Sequence, residues 1–458
     1  MSENLVMSVI DRNKERYLEE VMELLRIPSI SALTQHRGDM RACAEWLRDR
    51  LLAIGLQRAE VMGTAGHPVV YGEWMHPEPG RLTVLVYGHY DVQPVDPVEL
   101  WDSPPFEPQV REGRLYARGA ADDKGQVHMH MAAVHALLSQ GGELPVNLKF
   151  LIEGEEEMGS ENLDEFIAAN REMLACDAAV ISDTSFFAAG VPSITYGLRG
   201  LTYMQIDVAG PSSDLHSGSF GGAVMNPAEA VARIITRLKD EHGRITVPGF
   251  YDEVRELTER EREEFRRLPF DETEYAESLG VPELWGEEGY STLERVWTRP
   301  TLEVNGIWGG FAGEGSKTVI PAEAHAKISC RLAPYQDPDE IASLVEAHVQ
   351  EVCPPGVRAR VVRMHGGKPA LVPLDHPVMG AASRAVERGF GKPPVFIREG
   401  GSIPVVATFD ALLGVPTVLM GVGLPDENAH APNEWLLLEN YYNGIRSAAA
   451  LYEELGCL

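Results

Sequence analysis

The sequence predicts an α/β protein: a mostly parallel sheet with helices on both faces, interrupted by an inserted α+β domain. Three observations carry that expectation. In the first part of the chain, short apolar runs alternate with helical patterns. Near Gly197-Leu198-Arg199-Gly200 the pattern changes to strands that alternate apolar and polar residues, and from His376 the first style resumes. Strands that alternate with helices need crossover connections, which place helices on both faces of a parallel sheet. At 458 residues the chain also exceeds what one hydrophobic core usually supports, so two domains are expected. The boundaries read as 1–198 and 370–458 for the sheet domain, in two parts, and 199–369 for the insertion.

In chain order, Leu18, Val21, Leu24 and Leu25 recur at helical spacing behind a charged face, and a second amphipathic helix covers Arg41 to Ile54. Thr83 to Gly88, Asn147 to Ile152, Asp177 to Ser182 and Pro416 to Gly423 are short apolar runs that suit buried strands, and a helix from Lys124 to Leu138 separates two of them. In the insertion, Tyr203 to Val208 alternates as a half-buried strand, and Asn226-Pro227 opens an amphipathic helix that runs to Leu238. A strand from Ala324 to Leu332, a helix opened by Asp337-Pro338 and running to Val352, and a strand from Val357 to Met364 follow. That order resembles a ferredoxin-type α+β sandwich. The charged segment Asp252 to Arg267 reads as a solvated helix.

Composition narrows the function. A formal charge of −29 argues against nucleic acid or an anionic membrane as a partner. The five cysteines are scattered and form no CxxC pair, so a disulfide framework or a thiolate zinc site is not expected and a reducing compartment fits. Met1-Ser2-Glu3-Asn4 lacks the basic-then-apolar signature of a secretion signal, and no apolar stretch of about 18 residues occurs. A cytoplasmic protein is expected.

The chemistry sits at the ends of the apolar runs. His89-Tyr90-Asp91 follows one, and Glu153-Gly154-Glu155-Glu156-Glu157 follows another with four carboxylates in five residues. A third run ends at Asp183, a fourth leads through a loop to His430, and Asp122 lies in a Gly-flanked turn that opens a helix. A lone histidine after a strand, or an acidic cluster, is ordinarily a solvated surface feature. Two imidazoles and several carboxylates at the carboxyl ends of strands are different. That edge is where open α/β sheets hold ligands, and crowded acids repel one another unless cations offset them. A His and carboxylate set suits zinc, manganese or cobalt.

Laid out this way, the chain resembles the co-catalytic two-metal peptidase family of carnosinases, cytosolic nonspecific dipeptidases, carboxypeptidase G and aminoacylase. The resemblance spans nearly the whole length. It is carried by Gly88-His89-Tyr90-Asp91-Val92-Gln93-Pro94, Arg118-Gly119-Ala120-Ala121-Asp122-Asp123-Lys124-Gly125, Glu153 to Ser160, Ser182-Asp183, Asp214-Leu215-His216-Ser217-Gly218 and Arg398-Glu399-Gly400-Gly401-Ser402-Ile403-Pro404, closest in form to the dipeptidase branch. The resemblance implies two divalent metal ions per subunit, zinc or manganese or cobalt. His89 and Asp183 would hold one, Glu157 and His430 the other, and Asp122 would bridge them ahead of a cis peptide bond to Asp123. It makes Glu156 the general base and Asp91 the carboxylate that fixes the His89 ring. His216 would reach into the partner subunit's site to stabilise the oxyanion, and Arg331 would clamp the substrate's terminal carboxylate. Thr318 and Ser402 would hydrogen-bond substrate. The alternatives for these four are a helix-capping surface histidine, a surface ion-pairing arginine and turn-forming hydroxyls.

The function expected from this pattern is metal-dependent hydrolysis of dipeptides or short peptides by a homodimer, with the insertion serving as a lid and dimerisation domain. Hydrolysis of N-acyl amino acids is the alternative with the same metals. A noncatalytic metal- or peptide-binding protein is a remoter one, since such a protein has no need of Glu156.

Overall fold

The computed structural model describes residues 3–401 and 403–458. The chain divides into two compact units. The first comprises Met1–Tyr196, Val372–Ile397 and Thr408–Leu458, and the second Gly197–Leu371 with Arg398–Ala407. The second unit thus includes a short late segment, 398–407, that the sequence reading assigns to the sheet domain.

The first unit is built on a mixed sheet. Its centre is parallel, with Asn147–Glu153, Thr83–His89, Ala178–Ile181 and Thr417–Leu419 side by side in that order. Antiparallel strands flank this centre. Arg58–Met62 and Val69–Trp74 form a hairpin on one side, and Ser193–Leu198 pairs with Thr417–Leu419 on the other. The expected parallel sheet is therefore its central part. The central strands are buried along nearly their whole length, the pattern of parallel strands covered on both faces, which explains why they read as unbroken apolar runs. Helix Lys14–Leu25 buries Tyr17, Val21, Leu24 and Leu25, and helix Lys124–Gly141 is buried over most of its surface.

The second unit holds a four-stranded antiparallel sheet in the order Thr301–Gly309, Glu323–Leu332, Gly200–Ala209, Arg358–Gly367. Helix Pro227–Ile235 follows the first of these strands in sequence and helix Pro338–Val352 precedes the last, giving the β-α-β-β-α-β order of a ferredoxin-like sandwich. Residues alternate between buried and half-buried along Gly200–Ala209 and Glu323–Leu332, and the buried set joins Val231, Ile234, Ile341 and Val345 of the helices in one core. Asn226 and Asp337 cap the two helices through their side chains, with proline in the first turn.

One expectation fails here. Helix Glu259–Arg266 is not simply solvated: Glu261 and Phe265 are buried, and Glu261 pairs with Arg398 and, at 3.0 Å, with Arg255. The charges in that segment hid an anchor. All five cysteines are free. Among the described residues no helix is long and apolar enough to cross a membrane.

Candidate metal centre

The parallel strands of the first unit bring their carboxyl ends to one edge. His89 closes its strand with a fully buried ring, and Asp183 lies two residues past Ala178–Ile181. Glu157 stands in the short turn Glu156–Met158 after Asn147–Glu153, and Asp122 comes from the turn before helix Lys124–Gly141. His430 belongs to the loop that follows Thr417–Leu419.

Asp122 joins two groups. Its Oδ1 lies 3.0 Å from His89 Nε2, and its Oδ2 lies 2.9 Å from His430 Nε2. Asp183 Oδ2 is 3.7 Å from the same His89 nitrogen, and Glu157 Oε2 is 3.2 Å from His430 Nε2. The result is two triads, His89–Asp122–Asp183 and Asp122–Glu157–His430, with one donor atom from each residue within 4.8 Å of the others. The peptide bond between Asp122 and Asp123 is cis.

The charges of this cluster call for cations. Burial pushes Asp183 well above the ordinary carboxylate range, and the neighbouring charges of Asp122 and Asp123 push it further. Hydrogen bonds to Asp122 and Glu157 raise His430 to about 10. Burial alone would lower His89, but hydrogen bonds to Asp122 and Asp91 and the charge of Asp183 hold it well above its usual value. Burial acts against Asp122 too, yet its bonds with His430 and His89 keep it below the carboxylate range. Acids that draw positive charge onto two imidazoles impose the demand that a pair of divalent ions satisfies, and the oxygen and nitrogen donors suit such ions. The residues fit the group.

Around the triads, other side chains fix the ligands. His89 Nδ1 lies 3.1 Å from the Asp91 carbonyl and 3.4 Å from its carboxylate, while that carboxylate accepts the N–H groups of Glu156 and Glu157 at 3.2 and 3.1 Å. Asp91 therefore ties the histidine of one triad to the backbone of the other's glutamate. Burial raises Glu156 to about 7; His89 opposes the shift, and Asp122, Glu157 and Asp91 add to it.

A family model described as peptidase family M20/M25/M40 matches residues 85–454. The chain belongs to this family. This M20-family chain is a metallopeptidase, a hydrolase that depends on metal. It is 35% identical to the Cys-Gly metallodipeptidase of Schizosaccharomyces pombe, over 99% of this chain and 98% of that one. It is 33% identical to the human Beta-Ala-His dipeptidase, over 99% of this chain and 92% of that protein. Among solved structures, an M20 family metallo-carboxypeptidase from Sulfolobus solfataricus shares 35% identity, with a TM-score of 0.82, covering 96% of this chain and 99% of that one.

Of the remaining candidates of this M20 peptidase, His216, Thr318 and Arg331 fall in the second unit. His216 and Thr318 are neighbours, since Leu215–His216 pairs with Val319–Ile320 and Ser217 N–H donates to the Thr318 carbonyl at 3.0 Å. His216 is exposed, and its Nδ1 accepts the Gly218 N–H at 3.0 Å, so it does cap a short helix. Arg331 is half-buried near the end of strand Glu323–Leu332, opposite Leu201 and Thr301. Ser402 lies outside the described residues.

Sequence reasoning passed over Gln93. Its Nε2 donates to Glu157 Oε2 at 2.7 Å and so orients a candidate ligand directly. The signal was present, because Gln93 stands four residues after His89 in the motif Gly88 to Pro94, but a neutral amide carries no metal signature of its own.

Proposed function

We propose that this M20 peptidase hydrolyses dipeptides with two divalent cations, one held by His89, Asp122 and Asp183 and the other by Asp122, Glu157 and His430. The observation that carries the reading is the sharing of Asp122 between two donor triads, one oxygen to each histidine. Bound cations supply Lewis acidity there, acidifying a water and polarising the scissile carbonyl. Glu156 takes the proton of the attacking water and delivers it to the leaving nitrogen, a task matched to a carboxyl that burial raises to about 7. Asp91 holds the His89 ring in register while this happens.

The substrate class follows from what the named relatives have in common. The fission-yeast relative is named for Cys-Gly and the human one for Beta-Ala-His, which share two-residue length and little side-chain chemistry. Arg331 clamps the terminal carboxylate in bidentate fashion, and Thr318 and Ser402 hydrogen-bond the substrate. His216 donates to the developing oxyanion in the partner subunit of a homodimer, which makes the second unit a lid and dimerisation domain. The cations are zinc, manganese or cobalt, and the enzyme works in the cytoplasm.

Glu156→Gln tests the reading. Purified with metal, the variant should bind two cations per chain as the unsubstituted protein does and lose about 10²–10⁴-fold in kcat on a mixed panel of dipeptides. Undiminished turnover would remove Glu156 from its role, and a chain that binds no cation pair would remove the two-metal mechanism itself. Reconstitution with each metal in turn, assayed on dipeptides, tripeptides and N-acyl amino acids, separates the dipeptidase from the deacylase.

A further inference from the structure

Glu434 stands four residues after His430, and its side chain is wholly buried. A buried carboxylate needs partners, and this one has four donors. Arg118 Nη1 and Gly119 N–H donate to its Oε2 at 2.8 and 2.9 Å. The N–H groups of Ala121 and Asp122 donate to its Oε1 at 2.9 and 3.1 Å. Ala117 N–H also reaches the Glu434 carbonyl, at 3.2 Å. The stretch 117–122 is therefore draped over one residue, and it ends at the aspartate shared by both triads.

We propose that Glu434 is a positioning residue that locks the loop carrying Asp122 to the loop carrying His430, and thereby sets the spacing of the two cation sites. The proposal rests on reading the triads as cation sites. His430 needs such a lock. Its side chain is 56% exposed and its backbone has φ 63°, so packing around the ring does little to hold it against Asp122. Arg118 extends the tie to a third motif, because its Nη2 donates to the Pro94 carbonyl at 3.3 Å in the stretch that begins with His89. A buried ion pair is weak evidence for stability in itself. Here three of the four donors are backbone N–H groups of the segment that ends in the shared ligand, which is the arrangement of a support that orients a metal site.

Glu434→Gln tests this without removing any ligand. In either orientation its amide turns an NH2 toward N–H donors, so two of the four bonds are lost. Calorimetric titration with Mn2+ alone, on folded protein, should show cation affinity weakened by about 10–100-fold. With saturating metal, kcat on a dipeptide should fall while KM stays near that of the unsubstituted enzyme. Ile328→Ala, which truncates the second unit's core, serves as the comparator: it should lower the melting temperature and leave cation affinity unchanged. If Glu434→Gln binds two cations as tightly as the unsubstituted chain, the positioning role is overturned, whatever its melting temperature. If it does not fold, Arg118→Lys, which leaves the three backbone bonds in place, is titrated instead. It should show a smaller loss in the same direction, and unchanged affinity there overturns the proposal. Failure of the unsubstituted chain to bind a cation pair would instead strike the underlying reading of the triads.

Discussion

In the first unit, His89 and His430 each lie within 3.2 Å of a carboxylate from a distant part of the chain, and both rings meet the same aspartate. In the second unit, His216 is exposed and its ring accepts a hydrogen bond from Gly218, two residues away in its own turn. One set of candidate residues is held by long-range contacts and the other by local ones. The first set should thus reveal itself in metal binding as well as turnover, and the second in turnover alone.

Substitutions can break or sharpen that contrast. Glu156→Gln carries the largest expected effect, a loss of about 10²–10⁴-fold in kcat, the range for a positioned general base, with two cations still bound. His216→Ala follows, at about 10²–10³-fold in kcat, the cost of an oxyanion donor. Its cation affinity should match that of the unsubstituted chain, and mixing it with Glu156→Gln chains should restore some activity in heterodimers. No recovery in confirmed heterodimers would end the cross-subunit role. Ile328→Ala should cost about 2–5 kcal/mol in denaturant unfolding, since it opens a cavity in a fully packed core, again with metal affinity intact.

A comparable effect, seen only in acid, belongs to a buried histidine of the first unit. His130 Nδ1 and Nε2 lie 2.7 Å from Tyr452 and Ser182 hydroxyls, and burial lowers its pKa to about 3. The folded ring stays neutral down to that value, whereas in the unfolded chain it takes up a proton below about 6.5. Unfolding in that window binds a proton, so acid favours it. The contribution is whole above about 6.5 and is lost toward 3, at up to about 1.4 kcal/mol per pH unit. Urea unfolding of His130→Asn in the presence of chelator, measured from pH 7 to 4, should show that much less pH dependence; an equal slope would refute the assignment.

What could be read in the sequence depended on how far its signals travel. The central strands were legible because both of their faces are covered, which writes an apolar run such as Thr83 to Gly88 directly into the residues. Strand Thr301–Gly309 was not, because it is an edge strand with Glu303, Val304 and Trp308 exposed, and its Gly306 lies at a bulge. The five ligand candidates were legible from their chemistry and their place, four of them after apolar runs and Asp122 in a Gly-flanked turn that opens a helix. Two of their supports were not: Glu434 and Gln93 act through hydrogen bonds to partners far away in the chain, and no periodicity records such bonds. The burial of Glu261 was hidden for a similar reason, since a charged run gives no sign of which member turns inward.

The strand Thr417–Leu419 lies between Ala178–Ile181 and Ser193–Leu198, inside the sheet and not at its rim. On the ribosome, the nascent chain must therefore leave that slot open until more than two hundred further residues have been made. The ferredoxin-like sandwich, whose strands lie between Gly200 and Gly367, has all its parts well before then. Synthesis order makes the inserted unit the earlier to mature, while the half that does the chemistry waits for its penultimate stretch.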